Sequence, residues 1–380
     1  MKVSNLLNYL LLFLLMSCQN NSTTKTAETA AIKTVEKTVP VQWVTYKAKN
    51  NPTGKNIVLV TGDEEYRSEE AMPQLAKILT EHHGFDCTVL FAQNPEKLGT
   101  IDPNYSFNIP GLEKLANADL MVLFTRFRAL PNEQMQHIDN YLSAGKPLIA
   151  IRTATHAFNF KDTTHQYQHY GFNYKGDKTA WNLGFGKLVL GESWYRHHGH
   201  HKHQSTRGII ADGAATHPIT NGIENGAIWG PTDVYGIRIP MPNTQSIILG
   251  QTIDRAGEFD KTDAFYGLKE TDTAVATITG KGEKTYNPNA QMPPIAWTKN
   301  YQLPNGKSGN AFTTTIGSAT DMVDEDVRRL MVNATFHLLG MEVPAKANVD
   351  LVGAYKPSPY QFHDDAHWVE KNLQVADYVE

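Results

Sequence analysis

The chain has 380 residues, 41% of them hydrophobic, 19% charged and 10% aromatic, so a large packed core is available and disordered, collagen-like and coiled-coil compositions are excluded. Its 35 Lys and Arg stand against 39 Asp and Glu, a formal charge of -4 with no long basic run, which argues against nucleic acid as a partner. One apolar run, residues 10–16, could meet a membrane, but a bilayer span takes roughly 20 residues, so no transmembrane helix is expected in the mature chain.

Residues 1–17 read as a secretory signal: Lys2 supplies the positive start, Leu10 to Leu15 the apolar stretch, and small Ser17 precedes Cys18. Leu15-Met16-Ser17-Cys18 resembles a bacterial lipobox, which implies cleavage before Cys18 and a lipid on its sulfur; an ordinary cleaved signal is the alternative. On the lipobox reading the protein sits in the bacterial cell envelope, lipid-anchored to the membrane at the periplasmic face of the outer membrane. Residues 18–51 lack periodicity and apolar content and are expected to be a flexible tether. With Cys18 lipidated, Cys87 is the remaining cysteine and no intrachain disulfide is expected.

From residue 52 the pattern changes. An apolar run at 56–61 stops at Gly62, and Met72, Leu75, Ala76, Ile78 and Leu79 then recur at helical spacing, predicting a strand followed by a helix. The order repeats through a strand at 87–91, a helical segment at 109–116, a strand at 120–124, a helix at 131–143 and a strand at 147–151. Strands without polar alternation are those buried on both faces, so the expected fold is α/β, a doubly wound, mostly parallel sheet in a single domain with insertions. Beyond Ala157 the text becomes rich in His and aromatics, with strand-like pieces at 208–211 and 246–250. Residues 251–290 read as an insertion or long loop, 294–297 and 311–316 as closing strands, 323–339 as a last helix stopped by Gly340, and 356–380 as a C-terminal tail.

In an open parallel sheet, ligands bind outside the carboxyl ends of the strands, and here those ends are unusually polar. The first delivers Asp63, Glu64, Glu65 and Arg67; the third Arg126 and Arg128; the fourth Arg152 and His156; the last Ser318, Thr320 and Asp321. Ser68-Glu69-Glu70 and Asp324-Glu325-Asp326 are explained by helix capping alone. For Arg126, Arg128 and Arg152, two readings stay open: a grip on an anionic or polyhydroxyl ligand, or a structural salt bridge to Asp63, Glu64 or Glu65.

Residues 57–70, 120–128, 147–158, 197–208, 229–235, 294–301 and 312–339 together resemble the ThuA-like (trehalose-utilisation) family, over most of residues 55–355. The resemblance implies a class I glutamine amidotransferase-like, flavodoxin-like domain over 52–355 and a link to sugar catabolism, with some members associated with 3-keto disaccharides. Amidotransferase relatives carry a nucleophilic cysteine after a Lys-Pro strand. Lys146-Pro147-Leu148-Ile149-Ala150-Ile151 leads instead to Arg152, whose guanidinium is no nucleophile, so glutamine amidotransfer by that route is not expected.

His197, His198, His200, His201 and His203 fall within seven residues, where a uniform chain would put about 0.3. His197 and His201 could share a helical face, and with strand-end ligands such as Asp63, Glu64 or His156 could hold Zn or Mn. The same run could instead wall a sugar pocket or sit in solvent. The resemblance favours His197, His198, His201, Gln204 and Ser205 as functional, and the loop Trp229 to Tyr235 offers Trp229 to a sugar and Asp233 as a sugar or metal partner. The expected function is that of a carbohydrate-active lipoprotein working on a sugar or glycoside, including a 3-keto derivative. In it, His156 or His198 moves the proton, Asp63 or Glu64 orients the histidine, and Arg128 and Arg152 stabilise an oxyanion. Arg126, Gln204, Ser205, Trp229 and Asp233 would bind the substrate. Two alternatives stand beside this reading: a metal-dependent hydrolase or lyase built on His197 and His201, and a non-catalytic sugar-binding lipoprotein.

Overall fold

The computed structural model describes residues 40–379; the signal, Cys18 and the expected tether up to residue 39 lie outside the described residues. The chain runs β1 (Trp43–Tyr46), β2 (Asn56–Gly62), α1 (Ser68–His83), β3 (Asp86–Leu90), β4 (Leu120–Thr125), α2 (Asn132–Ser143), β5 (Leu148–Ile151), β6 (Gln204–Ile210), β7 (Trp229–Gly230), β8 (Thr244–Asp254), β9 (Pro294–Gln302), β10 (Ser308–Thr314), α3 (Glu325–Leu338) and α4 (Asp365–Lys371). All ten strands join one sheet in the order β1-β3-β2-β4-β5-β10-β9-β8-β6-β7.

The five strands β3-β2-β4-β5-β10 are parallel, and in chain order they read 2-1-3-4-5, the flavodoxin-like arrangement. Their alternation divides the core. Ile57, Leu59, Val89, Val122, Ile149 and Phe312 face α1 and α3, meeting Met72, Leu75, Leu330 and Met331. Val58, Val60, Leu90, Met121, Leu123 and Ala150 face the other way, onto Leu112, Leu115, Met135, Ile138 and Leu142. Both faces are therefore apolar, which is why these strands show no polar alternation.

The expected doubly wound sheet is present, and its second half is antiparallel. β9 returns against β10, and β8, β6 and β7 continue the alternation to the far edge. Such strands can be joined by tight turns, here 303–307 between β9 and β10, with Asn305 at φ 64. The loop expected from 251 begins later, because β8 runs on to Asp254.

Two boundaries need correction. Residues 43–46 were expected in the tether but form β1, whose backbone pairs with β3 and blunts that edge of the sheet. Residues 356–380 were expected to be a tail, yet Tyr360, Trp368 and Val375 are buried and α4 lies among them. No helix among the described residues is long and apolar enough to cross a membrane.

Candidate functional site

Three non-glycine residues occupy left-handed backbone at adjacent strand ends: Arg67 at φ 59 after β2, Phe127 at φ 50 after β4, and Arg152 at φ 51 directly after β5. Such conformations cost of order 1–3 kcal/mol each and persist where the surroundings over-determine them, commonly at functional sites. Arg152 opens the short helical turn Arg152–His156, the strand-to-helix corner on which α/β-hydrolases display a nucleophile.

Arg152 is wholly buried and packed against Tyr235 and Tyr66, with its guanidinium carbon 3.9 Å and 4.4 Å from the two ring centroids. Its Nη1 donates to the carbonyls of Asp233 (2.8 Å) and Thr315 (2.5 Å), and its Nη2 approaches Asp233 Oδ1 at 3.3 Å. Arg152 thus fixes Asp233 from beneath. Asp321 fixes the same loop from the side, accepting from Thr232 N and Thr232 Oγ1 and from the amides of Gly317 and Ser318. Gly230 permits that approach, since a Cβ there would fall 2.4 Å from Asp321 Oδ1.

The histidine run is a turn rather than a helix, and it is pinned to this loop. His197 bridges Tyr235 through the backbone, and the amides of His198 and Gly199 donate to Val234 O. The geometry brings both imidazoles onto one carboxylate: His197 Nδ1 lies 2.8 Å from Asp233 Oδ2, and His201 Nδ1 lies 2.9 Å from Asp233 Oδ1. An ionised carboxylate only accepts, so both rings carry their proton on Nδ1 and turn Nε2 away from it. His201 Nε2 meets Glu65 Oε1 at 3.4 Å, and Glu65 Oε2 faces Arg126 Nε at 3.8 Å.

The electrostatics divide these groups. Burial opposes the charge of Asp233, but His197, His201 and Arg152 hold its carboxyl well below the usual range. Burial disfavours the His197 cation too, yet Asp233 outweighs it and the pKa rises. For His201, burial wins over the Asp233 hydrogen bond, helped by the charges of His197 and Arg152, and the pKa falls. Burial, then Asp63, pushes Glu65 up to about 7. A carboxyl that keeps its proton near neutrality therefore faces an imidazole that resists taking one, with a more basic, half-exposed His197 beside them.

Other expected residues have different tasks. Asp63 was expected to orient a histidine, but its Oδ1 accepts the amides of Glu65 and Tyr66 and its Oδ2 the hydroxyl of Thr153, closing the turn after β2. Glu64 pairs with Arg126 and with Arg128, which leaves orientation of the imidazoles to Asp233. Arg128 is buried and spends its donors on Glu64 and the carbonyls of Pro103, Tyr105 and Arg126, so neither it nor Arg152 presents a free guanidinium to an oxyanion.

The two expected proton carriers are also displaced. His156 is packed against Phe127 and Trp194, and burial, then Arg126, drives its pKa well below the ordinary value. His198 gives Nε2 to Pro288 O at 2.7 Å, and burial lowers its pKa. Gln204 clamps His200 N, Thr279, Asp254 and the Ile278 carbonyl, so its amide is used in structure. Ser205 is buried in β6, and buried Trp229 packs edge-on against Phe265. Cys87 sits in β3, where burial raises its thiol to about 12 and leaves it inert.

Of the expected residues, the structure thus gathers Arg126, Arg152, His197, His201 and Asp233. Glu65, expected only as a strand-end residue and salt-bridge partner, joins them, as do Tyr66 and Tyr360. Tyr360 stacks on Tyr66 (5.4 Å, 23°) and stands edge-on to His201 (5.4 Å). Its signal was the aromatic content of the supposed tail, Tyr360, Phe362, Trp368 and Tyr378, which a solvated segment would not carry.

A flavodoxin-like sheet with a buried Asp holding two histidines at its carboxyl edge defines an α/β protein with its polar site at the strand ends. A family model, ThuA, described as trehalose utilisation, matches residues 56–338, and the chain belongs to that family. Membership links it to carbohydrate use. No curated protein matches the chain. Among solved structures it is similar to a ThuA-like protein from Parabacteroides merdae, at 13% identity and a TM-score of 0.41, over 86% of this chain and 99% of that one. It is also similar to one from Bacteroides uniformis, at 14% identity and a TM-score of 0.44, over 80% and 97%.

Proposed function

We propose that the protein acts on a sugar or glycoside, 3-keto forms included, by acid/base chemistry in which His197 carries the proton. The observation that supports this best is the buried Asp233 accepting Nδ1–H from both His197 and His201, which sets one tautomer and one ring orientation, as a carboxylate does for a catalytic histidine. Glu65, held near neutrality, is the second proton carrier, and Arg126 the guanidinium above it. General acid/base catalysis contributes roughly 10²–10⁴-fold, so His197→Ala is expected to lose that much kcat on a panel of disaccharides and their 3-keto forms, followed by mass spectrometry. His197 is half-exposed, so the variant should keep its fold by circular dichroism. Full turnover in it would remove the assignment.

A second reading is favoured by one observation: His197, His201 and Asp233 each bring a ligand atom within 4.8 Å of the others, and could hold Zn or Mn. Against it stands Arg152, a buried cation already on the same carboxylate, which a dication would have to face. Elemental analysis of the purified protein separates the two. Near-stoichiometric metal whose removal abolishes turnover would carry the metal reading.

We also propose attachment to the cell envelope by a lipid on Cys18, with the site facing the periplasm. Cys18→Ser should then move the protein from the membrane fraction to the soluble one, and unchanged partitioning would refute it.

A further inference from the structure

The C-terminal segment seats α4 near the start of α1, and between them lies a cavity of about 210 Å³, lined by Arg67, Glu70, His363, His367, Trp368 and Lys371 among others. None of His197, His201 and Asp233 lines it, so it is a place apart from the cluster described above.

Its charge is one-sided. Arg67 and Lys371 are fixed cations, two imidazoles stand beside them, and Glu70 is the one carboxylate in the wall. Glu70 is already engaged, its Oε2 accepting the Ser358 amide at 2.7 Å. Lys371 Nζ makes no ion pair or hydrogen bond among the described residues. Arg67 is buried with Trp368 on its guanidinium at 4.6 Å; its Nη2 donates to the carbonyls of Glu64 and Gln361, and its Nε stands 3.6 Å from Glu69 Oε1. That acid returns little charge, because burial pushes Glu69 up to about 7 and neither of its oxygens has a hydrogen bond among the described residues.

The imidazoles sit in this field. His363 and His367 stack face to face, with centroids 3.5 Å apart and planes 6° from parallel. Two imidazolium ions at that spacing repel unless a counter-charge lies beside them. Burial, then His367, Arg67 and Lys371, lowers the His363 pKa to about 4, against a smaller pull from Asp364, whose Oδ1 accepts the His367 amide. Gln361 Nε2 donates to His363 Nε2 at 3.2 Å, so the neutral ring keeps its proton on Nδ1. Histidines four apart can also hold a metal, but a dication would enter beside Arg67 and Lys371 with Glu70 alone to meet it. An anion meets the opposite case: an unpaired ammonium, an undercompensated guanidinium and two rings that become full donors on protonation. The volume lies below the roughly 300–1,000 Å³ of small-molecule pockets and fits a bare ion rather than a metabolite.

We infer that this cavity binds a small tetrahedral oxyanion, of the sulfate or hydrogen-phosphate class, between Lys371 and Arg67 with His363 and His367 beside it. The histidines take up a proton as the anion enters. Bound there, it ties α4 to α1 and steadies the segment that lays Phe362 on Arg126 and Tyr360 against His201. The inference is independent of the carbohydrate reading.

The test titrates the full chain with sodium sulfate, a dianion at every pH used, against sodium chloride at equal ionic strength, by calorimetry and by melting temperature. Sulfate should bind about tenfold more tightly at about pH 5.5 than at about pH 7.5, and should raise the melting temperature where chloride does not. Lys371→Met, on an exposed side chain, should keep the fold by circular dichroism and weaken sulfate about tenfold or more. His363→Asn with His367→Asn should leave weaker binding that no longer changes with pH. Sulfate acting no differently from chloride overturns the site as ionic screening, and so does binding that survives Lys371→Met. Binding lost in Lys371→Met but flat with pH in the wild type keeps the site and overturns the part given to the histidines.

Discussion

At the scale of single residues, the site turns on one buried pair. Asp233 and Arg152 are both fully buried and paired at 3.3 Å, with His197 and His201 also on the carboxylate and Tyr235 and Tyr66 packed on the guanidinium. Removing one partner of a buried pair leaves an uncompensated charge, which costs about 3–5 kcal/mol, whereas removing both is often far milder. Asp233→Asn is therefore expected to lower unfolding free energy in urea by about that amount, and Asp233→Asn with Arg152→Met by clearly less than the sum of the single losses. Additive losses would show that Arg152 is held by its carbonyl and ring contacts instead. Arg152 also shows what a residue pattern cannot reveal. An arginine after a strand is compatible with a ligand grip or a salt bridge, and only the fold decides that its partner is Asp233, 81 positions along the chain, and not Asp63 or Glu64.

At the scale of elements, the parallel half of the sheet was legible because burial on both faces leaves uniform apolar runs such as Leu120 to Phe124. β1 was not, since four residues on an edge carry no periodicity, and neither was the turn 197–203, whose His197 and His201 share a partner through loop geometry rather than helical spacing. The cap of α3 was legible, and it carries a consequence of its own. Asp324 accepts the Val327 amide, while burial, with Asp326 and Glu270 nearby, pushes its carboxyl up to about 7. Its folded pKa lies above the unfolded 3.8, so the stability it contributes is complete below about pH 4 and is lost as pH rises through 7. Asp324→Asn keeps a capping oxygen and cannot ionise, so the variant's melting temperature should fall less between pH 4 and 7 than the wild type's. Parallel pH profiles for the two proteins would refute the shift.

At the scale of the whole molecule, the family-matched region 56–338 omits two segments that the structure treats as one. β1 closes one edge of the sheet, Tyr46 donates to the carbonyl of Tyr378, and Tyr378 packs on Phe91, so the start and end of the described chain are latched together. From that latch the C-terminal segment crosses the strand ends. Trp368 covers Arg67, Phe362 covers Arg126, and Tyr360 is buried against Tyr66, His201 and Tyr266, with its hydroxyl on Pro231 O. Each of these contacts reaches a residue of the site or its floor, so stability and site shape depend on the same strap. Loss of a buried aromatic costs roughly 3–5 kcal/mol, a large part of a typical domain's 5–15 kcal/mol. Tyr360→Ala should lower urea stability by about that much, while Tyr360→Phe, which forfeits one hydrogen bond, should cost about 1 kcal/mol and keep the His201 environment. A chain ended at residue 355 loses Trp368 and Val375 as well, and is expected to unfold at far lower urea. An unchanged midpoint in that truncation would return the segment to the status of a tail.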